Sequence, residues 1–508
     1  MPDRLAVDPR VAQMRLADPD HLYDRPFPWL AAVAAAFTFL QLVLVVPGSG
    51  LGWDETVYVS QVSRDVPAAF FSAPRARGIS YLVAPVATLT SSTAALHVYL
   101  ALCSGCGLFL ALWVWRRLLP SAVLAGAGAM FAGLWITLYY GPMAMPNLWC
   151  ALGALAAVGC FLRAVRGTTD GKALVGLGCG VALVALMRPP DACYLVLPLI
   201  VAALVVPRWR RPAVPAVLVA ALLLGSAPWI IEAYLHFGGV AARLHRASEI
   251  QGGVGRHFAV DDQIRALDGR TLCRPCEVPW RHRSTAAWWF ALPLLTAGGI
   301  VAARTRRPAA VLATLVAASM ATPYLFMIDY AAPRFLLPTY ALLALPVAEC
   351  LRALFLAARP AWRPTAAVLL AFALAGHFAI QYWTLGHVVG RSRVARQEYT
   401  AIADQLHLLG VRPPCVVTGY DAVPIGYYAG CASRQIGGHD GSITADGLLA
   451  AARRTPVAVI VTPGHGAPAY ARAWQQESLP PLRGGPALTV HLAPSEHMES
   501  TAAKRPSR

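Results

Sequence analysis

Two adjacent acids, Asp54 and Glu55, stand in the stretch Gly52-Trp-Asp-Glu-Thr-Val-Tyr58, a few residues beyond the first long apolar run. The chain holds only 26 acids in 508 residues, so a pair at the edge of an apolar segment asks for a use. A carboxylate can take a proton from a hydroxyl within hydrogen-bond reach, and a pair can help hold a divalent cation. The bland alternative is a solvated pair capping a short helix. Trp53 and Tyr58, the flanking aromatics, suit a membrane interface. Arginine supplies the complementary chemistry. Arg188 in Met187-Arg-Pro-Pro190 and Arg334 in Pro333-Arg-Phe-Leu-Leu-Pro338 stand in short loops between apolar runs. A guanidinium grips phosphate oxygens in a bidentate fork, or it simply snorkels from a helix end. Arg75 and Arg77 share the loop of the acids and read as solvated charges with a lesser claim on a substrate. Asp191 is placed to pair with Arg188 or to cap the next helix, and His97, Glu232 and Asp329 read as interfacial or helix-end groups.

The elements that position these residues are membrane helices. The chain is 57% hydrophobic and 14% charged, with a mean hydropathy of +0.52, whereas soluble chains carry about 25% charged residues. A crossing helix needs about 20 mostly apolar residues. Eleven candidate spans follow, at 29–46, 94–114, 121–139, 146–163, 173–187, 192–206, 213–231, 286–303, 308–328, 335–357 and 364–384. The fifth and sixth are short enough to form a shallow hairpin instead. The net charge of +17 is concentrated in loops such as Arg208–Arg211 and Arg304–Arg307, which assigns it to orientation and lipid contact rather than to nucleic acid. Those loops fall on one side, with the N-terminal segment 1–28, and that side is predicted to be cytoplasmic. No cleavable leader is expected from so polar a start. The acids, Arg188, Arg334, the loops 47–93 and 232–285 and the C-terminal region then share the opposite face. Inside the spans Glu349 is the main charged exception, with Arg352 three positions on as a partner.

Hydropathy falls to globular values from about 395. Apolar runs at Cys415–Thr418, Val457–Thr462 and Ala487–Leu492 alternate with helical patterns at Arg396–Leu409, Thr444–Arg454 and Pro468–Glu477. That order predicts a small α/β domain over 385–494 with a mostly parallel sheet and a disordered tail at 495–508. In the first loop Val57–Val66 has helical potential, and Ile79–Leu89 is expected to lie in the interface. Of eleven cysteines, Cys415 and Cys431 are placed to form a bridge on the outer face. Cys273 and Cys276 read as a loop staple, because the βαβ context of a redox motif is missing.

An Asp-Glu pair just after the first span, followed by an aromatic, resembles the first-loop motif of the GT-C glycosyltransferases. That superfamily includes the protein O-mannosyltransferases and the aminoarabinose transferases. Met187-Arg-Pro-Pro190 and Pro333-Arg-Phe-Leu-Leu-Pro338 are similar to its Arg-Pro-Pro and Arg-Tyr-Leu-Leu-Pro patterns. The likeness covers about 29–384. It departs at Pro146-Asn147, where many relatives carry an acid. It implies a polytopic enzyme that moves a sugar from a polyprenyl-phosphate donor to an extracytoplasmic hydroxyl acceptor. Asp54 would be the general base, with Glu55 positioning the acceptor or assisting a divalent cation. Arg188 and Arg334 would bind the donor phosphate, with Trp53, Tyr58, Arg75, Arg77 and Asp191 close to substrate. A phosphate leaving group needs positive charge rather than an acid to protonate it, so one carboxylate and two arginines are an adequate set.

A transporter or lipid flippase is the reading from another class. It predicts acids or broken helices in mid-span, whereas the ionisable groups here gather at the outer ends. A third reading, in which the membrane part only anchors the C-terminal domain, leaves eleven spans unexplained.

Overall fold

The structure, a computed structural model, describes residues 26–166, 170–274, 276, 279–482, 484, 485 and 487–494. The segments 1–25 and 495–508, expected to be cytoplasmic and disordered respectively, lie outside the described residues. In chain order the helices begin with α1 (Pro26–Leu40, prolonged by a π-turn to Val45), α2 (Trp53–Ser60), α3 (Gly78–Ala87), α4 (Thr93–Val114), α5 (Ser121–Ala132), α6 (Trp135–Tyr140) and α7 (Pro146–Ala164). They continue with α8 (Gly171–Met187), α9 (Pro189–Val205), α10 (Ala213–His236), α11 (Val240–Ile250), α12 (Val260–Ala266), α13 (Ala287–Ala302), α14 (Arg307–Phe326), α15 (Leu337–Ala357) and α16 (Arg363–Leu408). Among the described residues eight helices are long and apolar enough to cross a membrane, and the chain is a multi-pass membrane protein. Each of the eleven apolar runs is helical, but α5, α8 and α9 are shorter than a full crossing.

Small residues set the centre of the bundle. Buried residues make up 89% of the apolar stretch of α7 and only 6% of that of α16, so α7 is the central helix and α16 runs along the outside. A side chain at Gly153 of α7 would come within 3.0 Å of the Gly180 carbonyl of α8. This close approach is how helices pack in a solvent as apolar as their own side chains. Phe39, Leu110, Leu224 and Phe372 are exposed, as lipid-facing residues should be.

The run at 121–139 is not one helix. It breaks at Gly133-Leu134, and the freed Trp135 N–H is taken by Gln381 Oε1 of α16 at 3.0 Å. The break sets α6 on a new path that brings Tyr140 toward the outer loops. The helix expected at Val57–Val66 starts earlier, at Trp53, and stops at Ser60. Glu349 pairs with Arg306 at 2.6 Å, an ion pair that fastens the turn before α14 to α15.

Helix α16 crosses residue 385 without interruption and enters the C-terminal domain. There follow β1 (Val416–Gly419), α17 (Ala422–Ala429), β2 (Ala432–Ser433), α18 (Ala445–Ala452), β3 (Val457–Val461), β4 (Gln475–Pro481) and β5 (Ala487–Leu492). The sheet order is β2-β1-β3-β5-β4. Strands β2, β1 and β3 are parallel, while β5 runs antiparallel to both β3 and β4. The sheet is therefore mixed, not mostly parallel. The helix expected at Pro468–Glu477 is a single 3₁₀ turn followed by β4, whose pairing with β5 overrides the local pattern. Strand β3, Val-Ala-Val-Ile-Val, is buried along its whole length, as a central strand covered on both faces should be. Cys415 and Cys431 are bonded across the starts of β1 and β2.

Candidate active site

Glu55 makes the turn that presents Asp54. Gly52 is extended, and the Glu55 carboxylate folds back so that Oε2 accepts the Gly52 N–H at 2.9 Å. This is the return half of a capping box. Its other oxygen accepts the Ala144 N–H at 2.8 Å and lies 3.6 Å from His97 Nε2. Glu55 is buried and fastens α2 to the turn before α7. Neighbouring positions on a helix diverge by about 100°, so Asp54 faces elsewhere.

Asp54 faces two arginines. Its Oδ1 accepts from Arg75 Nη2 at 2.6 Å, and its Oδ2 accepts from Arg334 Nη2 at 3.0 Å. Burial pushes the Asp54 carboxyl up, but the guanidiniums of Arg75 and Arg334 outweigh it and hold the group below the usual carboxylate range. Arg334 Nη1 donates to the Thr271 carbonyl at 2.7 Å and to the Tyr140 hydroxyl at 3.3 Å.

Proline places both of the arginines named by sequence motif. A residue before proline avoids the helical region, and Arg188 and Ala332 are both extended for that reason. Arg188 therefore stands at the break between α8 and α9. Its Nε lies 3.3 Å from Asp191 Oδ2, its Nη2 donates to the Tyr324 hydroxyl at 2.9 Å, and that hydroxyl donates to Asp191 Oδ1. The guanidiniums of Arg188 and Arg334 each lie 5.3 Å from the centroid of the Phe335 ring, so one ring braces both.

Arg75 is not the solvated charge expected of it. Its side chain is 12% exposed, and Tyr58 stands beside it with the ring centroid 5.9 Å away. Arg243 of α11, fully buried, holds the backbone that carries it. Nε donates to the Ala73 carbonyl at 3.0 Å, Nη2 to the Arg75 carbonyl at 2.9 Å and Nη1 to the Trp229 carbonyl at 2.6 Å. Arg77 points away, to Glu232 at 2.5 Å and the Phe71 ring at 4.1 Å. Trp53 packs with Val57, Ala69 and Val423 of α17. Of the substrate-contacting candidates, Arg75 and Tyr58 thus gather around Asp54, while Arg77 and Trp53 support the loop.

The C-terminal domain reaches the same cluster. Asp440 Oδ1 lies 3.9 Å from Arg75 Nη1, and burial holds its carboxyl above the usual range against the pull of Arg75. Sequence reading passed over Asp440, Arg243, Tyr140, Thr271 and Tyr324. Their contacts join segments far apart in the chain, and no spacing signals them. Among the described residues no group of three or more His, Cys, Asp or Glu side chains is placed to hold a metal ion. Asp54 and Glu55 do not converge, since arginines engage one and backbone N–H groups the other.

The Cys273–Cys276 disulfide stands behind Arg334. Cys273 exchanges backbone hydrogen bonds with Ala331, at 2.8 and 3.1 Å, three residues before Arg334, and Thr271 supplies the carbonyl that Arg334 holds. The loop staple thus abuts the candidate site.

No family model matches the chain, and no curated protein matches it in sequence. Its fold matches that of ArnT from Cupriavidus metallidurans, solved with bound undecaprenyl phosphate, with a TM-score of 0.65 at 13% identity over 92% of this chain and 97% of the other. The apo structure of the same protein gives a TM-score of 0.61 at 14% identity over the same shares. The likeness to GT-C proteins drawn from three short motifs therefore holds in the fold, C-terminal domain included.

Proposed function

We propose that the chain is a membrane glycosyltransferase that moves a sugar from a polyprenyl-phosphate donor to a hydroxyl acceptor. One observation carries the reading: a half-buried carboxylate clasped by Arg75 and Arg334, with Arg188 alongside, in a chain with the fold of a protein solved with undecaprenyl phosphate. The three guanidiniums face Asp54 and Asp191 at 2.6–3.3 Å, with Asp440 farther off at 3.9 Å from Arg75, so a phosphate that displaces Asp54 meets charged donors already in place. A carboxylate held this low is a weak base at rest. A donor phosphate that draws the guanidiniums to itself releases Asp54 and raises its basicity when the acceptor arrives. Asp54 then takes the hydroxyl proton, the acceptor oxygen bonds to the sugar's anomeric carbon, and the phosphate leaves as an anion with the bonding electrons. In this reading Glu55 supports the turn, Asp191 and Tyr324 aim Arg188, and Tyr140 aims Arg334. The basic loops are cytoplasmic, so the site and the C-terminal domain face outward.

The test uses purified full-length protein in nanodiscs with undecaprenyl-phosphate-linked radiolabelled hexoses and pentoses. Release of undecaprenyl phosphate that depends on Asp54 and on an added hydroxyl acceptor supports transfer. Movement of the intact lipid-linked sugar across sealed vesicles without cleavage would instead establish the flippase.

A further inference from the structure

The C-terminal domain carries a cleft that the proposed chemistry does not use. Strand β1 connects through α17 to β2 on one side, and the chain then returns through α18 to β3 on the other. The carboxyl ends of β1 and β3 therefore flank a topological switch point, the place where open α/β sheets take ligands. A cleft of about 360 Å³ opens there, at the lower end of the range for small-molecule sites. Gly419 shapes its floor: it has φ +92°, and a side chain on it would lie 2.2 Å from the Ile460 carbonyl. Gln435 closes one wall by exchanging hydrogen bonds with the Gly419 backbone at 2.7 and 3.3 Å.

The lining points to the ligand. Tyr420, Tyr470, Thr418, Thr462 and His465 face the cleft, and among the described residues no Asp, Glu, Lys or Arg lines it. Thr462 Oγ1 and His465 Nδ1 are 3.1 Å apart, and the Tyr470 ring is steadied edge-on by Trp474 with centroids 6.0 Å apart. A phosphate or nucleotide would use the N-terminus of α17. That position carries Asp421, whose carboxylate accepts from the Tyr399 hydroxyl at 3.2 Å and would repel an anion. Aromatic faces, hydroxyls and an imidazole without a formal counter-charge suit a neutral, polyhydroxylated ring.

We propose that this cleft binds a neutral sugar unit of a glycan between Tyr420 and Tyr470. Gly437 on its rim is three residues from Asp440, which reaches Arg75, so one loop joins the cleft to the Asp54 cluster. Calling that sugar part of the acceptor rests on the proposed transferase reading; the binding does not. Full-length protein in nanodiscs is titrated with the methyl glycosides of glucose, galactose, mannose and arabinose, followed by saturation-transfer NMR. At least one binds saturably, Tyr420→Ala and Tyr470→Ala each weaken it about fivefold or more, and neither glucuronate nor inorganic phosphate displaces it. Thr462→Val, at a half-buried rim position, weakens binding with an unchanged melting temperature. The proposal is overturned if no glycoside binds saturably, if the well-folded variants bind as the parent does, or if glucuronate or phosphate competes. Because binding is read without turnover, a chain that binds sugar but transfers none sinks the transferase reading alone, and the reverse result sinks this one alone.

Discussion

Asp54 and Arg334, 280 residues apart in the chain, meet at 3.0 Å across the mouth of the helical bundle. Each is delivered by a short motif, and neither motif signals the other. Asp54→Asn keeps the shape of the side chain and removes its basicity. The variant should fold, bind donor and lose roughly 10²-fold or more in rate, read as undecaprenyl phosphate released per unit of correctly folded protein. A rate within a few-fold of the parent would remove Asp54 from the chemistry.

The low-lying Asp54 carboxyl sets an expectation for pH. Its stabilising contact with the arginines is fully present above the unfolded value of about 3.9 and is lost as pH falls through the lower folded value. Arg75→Ala removes the closer guanidinium, so the acid limb of kcat/KM should move to higher pH. An unmoved limb would mean that another group controls it.

The cationic side should show itself in donor binding. Arg334→Ala and Arg188→Ala each lose a charge-assisted contact, which corresponds to about tenfold to a hundredfold in donor affinity. Lysine at either position should restore only part of it, since the charge returns without the fork. Titration of undecaprenyl phosphate into the variants measures the loss directly. Normal affinity in both alanine variants would place the phosphate site elsewhere.

Glu55 should matter for stability more than for rate. In Glu55→Gln the amide nitrogen cannot accept a hydrogen bond, so the Gly52 or the Ala144 N–H loses its acceptor at a cost of about 1–3 kcal/mol. The melting temperature should fall while the folded fraction turns over within about tenfold of the parent. A dead but fully stable variant would exchange the roles of the two acids.

The Cys273–Cys276 loop should be needed to hold Arg334. Cys273→Ser with Cys276→Ser frees the segment that carries the Thr271 carbonyl, so donor affinity should fall several-fold, about 1 kcal/mol for one such hydrogen bond. Equal affinity in the double variant would leave the bridge with no influence on the site.

The helical membrane fold was legible because apolar runs and basic loops are local signals, and proline announced the breaks at Arg188 and Arg334. What the sequence hid was every relationship made across the chain. Arg75 looked like an ordinary loop charge, and only Arg243, buried on helix α11, shows why its backbone is held toward Asp54. Glu55 looked like a twin of Asp54 because adjacency in sequence says nothing about which N–H groups each will meet. The sheet of the C-terminal domain was half legible: the buried run of β3 declared itself, whereas edge strand β4, half polar and interrupted by proline, carries too weak a pattern to compete with a helical reading.

Helix α16 runs 46 residues without a break, or about 69 Å at the usual rise. The hydrocarbon layer is only about 30 Å thick. More than half of the helix therefore stands clear of that layer, and its far end is the first element of the C-terminal domain's own core. Such a strut works as a ruler. It joins the sheet to the membrane part through one rigid helix rather than a loose tether, so the contacts of Val423 with Trp53 and of Asp440 with Arg75 are held in a fixed register.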